Sequence, residues 1–325
     1  MSKQVLSLLL LSLSIFSLAQ LQTKKYTRNV TNNSEHEIAP FLSMDGNTLI
    51  YTRKRDMEEH WKTQISVFQN GKWQRAESFD VLNQSLDQRL LGSYALNTDG
   101  SKVMFVSKKY GGVGSYDIWL SKKSNNGEWK TAENLAKPIN TSDEEINPIF
   151  SQDEKSIYFV RRSPGNENGK VFTSKMRTDI LWKTPVSLNF SGDFFAIRIA
   201  ADNQTMYLSR KSSSGTTMYV SRLENKIWGE PIEIKTFPKD TKGYFTTNIK
   251  STNITISTKM DLTYDLYRVK IPKEYESTPI TNLSIDIAVA HKVKINKKND
   301  PKYNKLTTDV TNFYLLNDDN YTCLL

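Results

Sequence analysis

The sequence predicts an all-β fold: a β-propeller of about five four-stranded blades. An N-terminal strand is expected to close the ring, and a short β-rich or partly disordered tail is expected to follow it. Three observations carry this prediction. A segment of about 50 residues recurs along the chain, and self-similarity at that period marks stacked blade repeats. Within each copy, apolar and polar residues alternate with period two, the pattern of strands half buried between neighbouring sheets. The chain has a single Cys, Cys323, so no internal disulfide can form, even in an oxidising compartment. Stability must then come from burial and strand pairing, which a large closed β fold supplies.

The elements follow in chain order. Lys3 precedes an almost wholly apolar run over residues 5–18, and Ser17 and Ala19 put small residues before Gln20. These are the three parts of a secretory signal peptide, with cleavage expected near Ala19. The run of roughly fourteen residues is too short to span about 30 Å of hydrocarbon. No Cys follows it to take a lipid, and no second stretch of spanning length occurs. The expected division is a signal peptide over 1–19, a propeller over 20–272 and a tail or remnant small β domain over 273–325. The expected location is periplasmic or secreted.

Four segments align: SMDGNTLIYTRKR at 43–55, NTDGSKVMFVSKK at 97–109, SQDEKSIYFVRR at 151–162 and AADNQTMYLSRKS at 200–212. Each places a polar turn around an Asp (Asp45, Asp99, Asp153, Asp202) before an alternating strand. A fifth, decayed copy at 250–260 has Lys250 in place of the Asp. In Asp45-Gly46 and Asp99-Gly100 the Gly takes positive φ without steric cost and the Asp caps its own turn, a hairpin signal. Repetition at a turn position reads as structural, against the alternative of catalytic or metal-binding aspartates. Each copy continues with a further strand (65–68, 117–121, 170–174, 217–221, 265–269). A Trp follows in four copies: Trp73, Trp129, Trp182 and Trp228. A Trp at one fixed place per blade reads as a plug between blades, with sugar stacking as the alternative. No fourth strand is evident after Ile271, whereas residues 23–30 resemble one. The N-terminal strand is therefore expected to complete the fifth blade and remove the free edges. Residues 274–281 read as a linker, and 292–302 as a loose basic segment.

The strings KKYGGVGSYDIWLSKKSNNGEWKTAENL at 108–135 and INTSDEEINPIFSQDEKSIYF at 139–159 resemble the WD-repeat-like propellers of TolB type. They are most similar to versions joined to OmpA-like domains in envelope proteins of Bacteroidetes. The resemblance covers roughly residues 30–272. It implies a periplasmic interaction platform without catalytic residues. After Ile271 no OmpA-like peptidoglycan-binding domain is recognisable, so the resemblance does not extend to anchoring.

The default binding site of such a ring is the mouth of its central channel, where the links into the inner strands converge. Counting back eight residues from each Asp turn gives Glu37, Glu145 and Phe194, with Lys242 in the fifth copy and Arg89 or Leu91 in the second. Adjacent stand His36, Glu144 and Asp193. Carboxylates and a His near one axis could receive a basic partner or a cation, or imitate the acid–base pair of a five-bladed glycosidase. Against an enzyme, the sequence has no Gly-X-Ser-X-Gly, no His-Glu-X-X-His, no paired Cys and no phosphate loop. The Gly-rich stretch at 110–116 precedes a strand rather than a helix, so it lacks a helix N-terminus for an anion. It reads as a hairpin loop with Tyr110 and Tyr116 on the rim. The net charge of +9 is scattered, not striped, which argues against nucleic acid. The expectation is no cofactor, no metal, no transmembrane segment and an envelope protein as partner, with a glycan as the alternative.

Overall fold

The computed structural model describes residues 23–278, apart from 32–33, 57, 84–91, 109–111, 179–180, 236, 248–250 and 260–261. The expected signal peptide, most of the tail, Tyr110 and the candidates Arg89 and Leu91 lie outside the described residues. A short first strand, β1 (Thr23–Lys25), is followed by five antiparallel sheets. Blade 1 is β2 (His36–Leu42), β3 (Thr48–Lys54), β4 (Lys62–Gln69), β5 (Lys72–Trp73) and β6 (Glu77–Ser78). Blade 2 is β7 (Tyr94–Leu96), β8 (Lys102–Ser107), β9 (Asp117–Lys122) and β10 (Glu133–Asn134). Blade 3 is β11 (Glu144–Phe150), β12 (Ser156–Arg162), β13 (Lys170–Thr178), β14 (Leu181–Trp182) and β15 (Val186–Ser187). Blade 4 is β16 (Ala196–Ile199), β17 (Thr205–Ser212), β18 (Gly215–Glu224), β19 (Ile227–Trp228) and β20 (Ile232–Glu233). Blade 5 is β21 (Thr241–Thr247), β22 (Asn253–Lys259) and β23 (Tyr264–Lys270), with β1 as its fourth strand. The result is a five-bladed propeller, as the repeat predicts.

The expected closure is present. Thr23, Lys24 and Lys25 pair with Val269, Arg268 and Tyr267, and the Tyr26 amide donates to the Leu266 carbonyl at 3.1 Å. The strand is shorter than the span of 23–30 suggests, because a turn begins at Arg28. Tyr26 and Val30 still seal the seam, packed with Leu42, Leu49 and Tyr51 of blade 1 and Leu266 of blade 5.

Each predicted turn aspartate caps the tip of its hairpin. Asp45 Oδ1 accepts the Asn47 amide, Asp99 Oδ1 that of Ser101, Asp153 Oδ1 that of Lys155, and Asp202 Oδ1 those of Gln204 and Thr205. The next residue takes the left-handed conformation: Gly46 and Gly100 in blades 1 and 2, Glu154 and Asn203 in blades 3 and 4. Glu154 adopts it despite its Cβ, and its carboxylate bonds Asn97 Nδ2 and Lys102 Nζ of blade 2.

The outermost strand differs from the single strand opened by each Trp that the sequence suggests. It comes in two short pieces in blades 1, 3 and 4, both paired to the third strand. In blades 3 and 4 the gap contains Pro185 and Pro231, which have no N–H to give to a ladder and are confined to such edges. The Trp side chains lie between blades. Trp73 packs 5.9 Å from Tyr26, Trp129 5.8 Å from Phe79 of blade 1, and Trp228 6.1 Å from Tyr158 of blade 3. Trp182 belongs to the core shared by blades 2, 3 and 4.

The expected linker also differs. A 3-10 turn at Lys273–Tyr275 is tied to blade 4: Tyr207 Oη donates to the Tyr275 carbonyl at 2.8 Å, and Tyr275 packs on the core of blades 4 and 5. The buried Tyr207 hydroxyl needs an acceptor, and the linker backbone provides it.

Candidate functional site

The inner strands β2, β7, β11, β16 and β21 line the channel. Glu37 and Glu145 occupy equivalent positions on β2 and β11, and both are fully buried. Each lies across its hairpin from an Arg sixteen residues on, Arg53 and Arg161. Arg161 Nε donates to Glu145 Oε1 at 2.7 Å and its Nη2 to the Ile139 carbonyl at 2.9 Å. Arg53 repeats this, with Nε 3.2 Å from Glu37 Oε1 and Nη2 2.7 Å from the Val30 carbonyl. A threonine of the incoming link completes each clamp. Thr141 donates its amide and hydroxyl to Glu145, and the Thr31 hydroxyl stands 2.7 Å from Glu37 Oε2. These carboxylates fasten the links to the blades. Burial raises the Glu145 pKa, opposed by Thr141 and Arg161. Burial also pushes Glu37 up to about 8, with nearby Asp265 adding to the rise and Thr31 and Arg53 opposing it.

The other predicted residues are also placed. Where blade 4 substitutes Phe194 for the Glu, Arg210 stacks on the Phe194 ring at 5.1 Å. Lys242 of blade 5 sits 4.1 Å over the Tyr264 ring. His36 Nδ1 accepts the Tyr264 amide at 3.1 Å, so a neutral ring carries its proton on Nε2, which lies 2.7 Å from Asp56 Oδ1. Asp193, half exposed, pairs with Lys170 at 2.9 Å in a groove between blades 3 and 4. Glu144 pairs with Arg162 at 2.8 Å. Of the predicted site residues that are described, Glu144 alone lines a mouth pocket of about 510 Å³.

Four blades build that pocket: Lys108 and Tyr116, Glu144 and Arg162, Phe195 and Lys211, and Tyr244. Lys108 sits 4.2 Å over Tyr116 and Lys211 3.8 Å over Phe195. Burial lowers the Lys211 pKa, and Glu167 stands 3.9 Å away. The chemistry is that of a cationic, aromatic-walled recess, more basic than the sequence suggests. Lys108, Arg162 and Lys211 escaped the count from the Asp turns because they sit at the ends of second strands. Their signal was the basic residue closing each alternating run in the aligned copies.

The Gly-rich loop is organised from below by buried Asp117. Its carboxylate accepts the amides of Val113 and Gly114 and bonds Asn134 Nδ2. Asn140 of the Ile-Asn-Thr link bonds both the amide and the carbonyl of Ile118, as a strand partner would. Among the described residues, no group of three or more His, Cys, Asp or Glu could hold a metal ion. No described helix is long and apolar enough to cross a membrane.

No protein-family model matches the chain, and no curated protein matches it. Solved structures similar to it include TolB from Acinetobacter baumannii, at 14% identity over 72% of this chain and 54% of that one, with a TM-score of 0.43. The chain thus spans about half the length of that protein. A putative TolB from Agrobacterium tumefaciens is similar at 12% identity over 73% and 76% of the two chains, with a TM-score of 0.45. The catalytic domain of Coprinopsis cinerea GH62 alpha-L-arabinofuranosidase is similar at 9% identity over 77% and 96%, with a TM-score of 0.49. At these identities the likeness concerns fold and says nothing of activity.

Proposed function

We propose that this protein is an exported, non-enzymatic interaction platform of the bacterial cell envelope, which receives an acidic segment of a partner protein at the channel mouth. The observation that carries this reading is the recess itself. Glu144 is neutralised by Arg162, whereas Lys108 is exposed and makes no ion pair among the described residues. Aromatic walls beside cations suit a mixed acidic and apolar peptide, and such desolvated clusters concentrate binding energy. Export rests on the N-terminal sequence. The glycan reading loses two of its four stacking candidates, because Trp182 and Trp228 are buried between blades, while Trp73 and Trp129 are half-buried.

The test is affinity capture from envelope extracts with the mature protein and with Lys108→Glu. The reading expects one protein recovered stoichiometrically by the wild type and weakened at least tenfold by the charge reversal. No stoichiometric protein with or without cross-linking, or recovery indifferent to the reversal, contradicts it.

A further inference from the structure

The recess at the channel mouth continues sideways into a second one. A groove of about 480 Å³ runs between blades 3 and 4, and Asn166 and Glu167, in the turn between β12 and β13, line both. Beneath it the amides of Gly169 and Phe194 donate to each other's carbonyls at 2.9 and 2.7 Å. Asn168 ties the same turn to blade 4, bonding the amide and the carbonyl of Lys211 at 3.0 and 2.9 Å. Arg210 and Lys211 are neighbours on β17, and successive side chains of a strand point to opposite faces. Lys211 therefore stands in the recess and Arg210 in the groove.

Arg210 is held in one pose. Its guanidinium lies 5.1 Å from the Phe194 ring and 5.3 Å from the Tyr219 ring, and Nε donates to the Asp193 carbonyl at 2.8 Å. Nη2 sits so close over Gly192 that a Cβ there would overlap it. Nη1 and Nη2 have no acceptor among the described residues, and neither is sealed from solvent. The other charges of the groove have partners: Lys170 pairs with Asp193 at 2.9 Å, and Glu167 faces Lys211 at 3.9 Å. Arg210 is thus the uncompensated cation of a preformed groove. The open end of a planar guanidinium matches a carboxylate, and a side chain already fixed loses little freedom on binding one.

We infer that the groove is a second carboxylate subsite, and that the partner segment carries two acidic residues, one for the mouth recess and one for Arg210. This rests on the reading of the mouth as the seat of an acidic segment. The segment crosses over the end of β17. Packed sheets stand about 10 Å apart, so the gaps on the two faces of one blade are separated by about the same distance. Residues four apart on an extended segment lie about 13 Å apart and point the same way, which suits this span. Glu167 stands exposed on the wall shared by the two recesses. Its charge rejects a third carboxylate there, so the residue between the two acids is uncharged or basic.

The probes are the peptide Glu-Gly-Lys-Gly-Glu, blocked at both ends, two single-acid relatives with Gln in place of either Glu, and one with Glu in place of the central Lys. Dissociation constants are measured at low ionic strength with the full mature chain and with Arg210→Gln, Lys108→Glu and Glu167→Gln. The wild type is expected to bind the two-acid peptide at least fivefold tighter than either single-acid peptide, and Arg210→Gln to abolish that advantage. The central Glu should weaken binding to the wild type, and Glu167→Gln should remove this penalty. No advantage of the two-acid peptide in the wild type, or an advantage that survives Arg210→Gln, overturns the inference. A single-acid affinity that is then still lost in Lys108→Glu leaves the mouth reading standing. An advantage that depends on Arg210 while Lys108→Glu changes nothing contradicts the mouth reading and keeps the subsite. The wild-type comparison needs no variant, so a misfolded Arg210→Gln does not remove the test.

Discussion

The Glu37 carboxyl is surrounded by groups that disagree about its proton. The single Thr31 hydroxyl hydrogen cannot serve both neighbours, yet Oγ1 lies 2.7 Å from Glu37 and 2.8 Å from Asp265. A proton held by the Glu37 carboxyl satisfies both contacts, and this agrees with the Glu37 pKa being raised from 4.5 to about 8, chiefly by burial. The sign of the consequence follows. A folded pKa above the unfolded one contributes stability that is fully present below the unfolded value and is lost as pH rises through the folded value. Wild-type stability should therefore fall between about pH 5 and pH 8 relative to Glu37→Gln, which keeps the neutral form at every pH. Urea midpoints of the two proteins across that window check this, and parallel curves contradict it. The sequence marked Glu37 and Glu145 by their place in the repeat. It did not reveal what they do, because Arg53 and Arg161 meet them only once the hairpin register is fixed. The shared spacing of sixteen residues was visible, but nothing in the sequence alone says that it spans a ladder.

At the scale of the element, turns and strands were legible because their signals are local. An Asp before a left-handed position and a strict alternation both report on a few neighbouring residues. The outermost strand was less legible, since its broken pairing depends on which β13 and β18 residues it meets. The Trp residues were legible as plugs from their repetition. Trp228 illustrates the energetics: it is nearly buried against Tyr158 of the preceding blade, while its neighbour Ile227 is 71% exposed. Trp228→Ala should cost about 3–5 kcal/mol, as for other large aromatic truncations in cores. Ile227→Ala should stay within about 0.5 kcal/mol, as for surface changes. Equilibrium denaturation of both variants measures the difference, and similar values would remove the plug from the account.

For the whole molecule, stability depends on one seam. The ring is closed by residues more than two hundred positions apart: Lys25 Nζ and Tyr26 Oη, on and just after β1, reach Asp265 at 2.7 Å and Thr255 at 3.0 Å in blade 5, and the Ser257 hydroxyl of blade 5 donates to the Glu37 carbonyl of blade 1 at 2.6 Å. Five blades could be counted from the repeat, and the N-terminal strand could be inferred from a missing fourth strand. The anchoring of Tyr275 under blade 4 could not, because it depends on where Tyr207 needs an acceptor. Without β1, the edge of β23 would present unpaired backbone groups, each costing about 1–3 kcal/mol where it stays buried. Whole-domain stability is typically about 5–15 kcal/mol. The most direct measurement is thermal unfolding of the mature chain beside two truncations, one lacking residues 20–29 and one ending at Asn296. The account predicts that loss of 20–29 lowers the melting temperature by at least about 10 °C or causes aggregation, while loss of the tail changes it little. Melting of the N-terminal deletion within about 2 °C of the intact chain would contradict closure of the ring by β1.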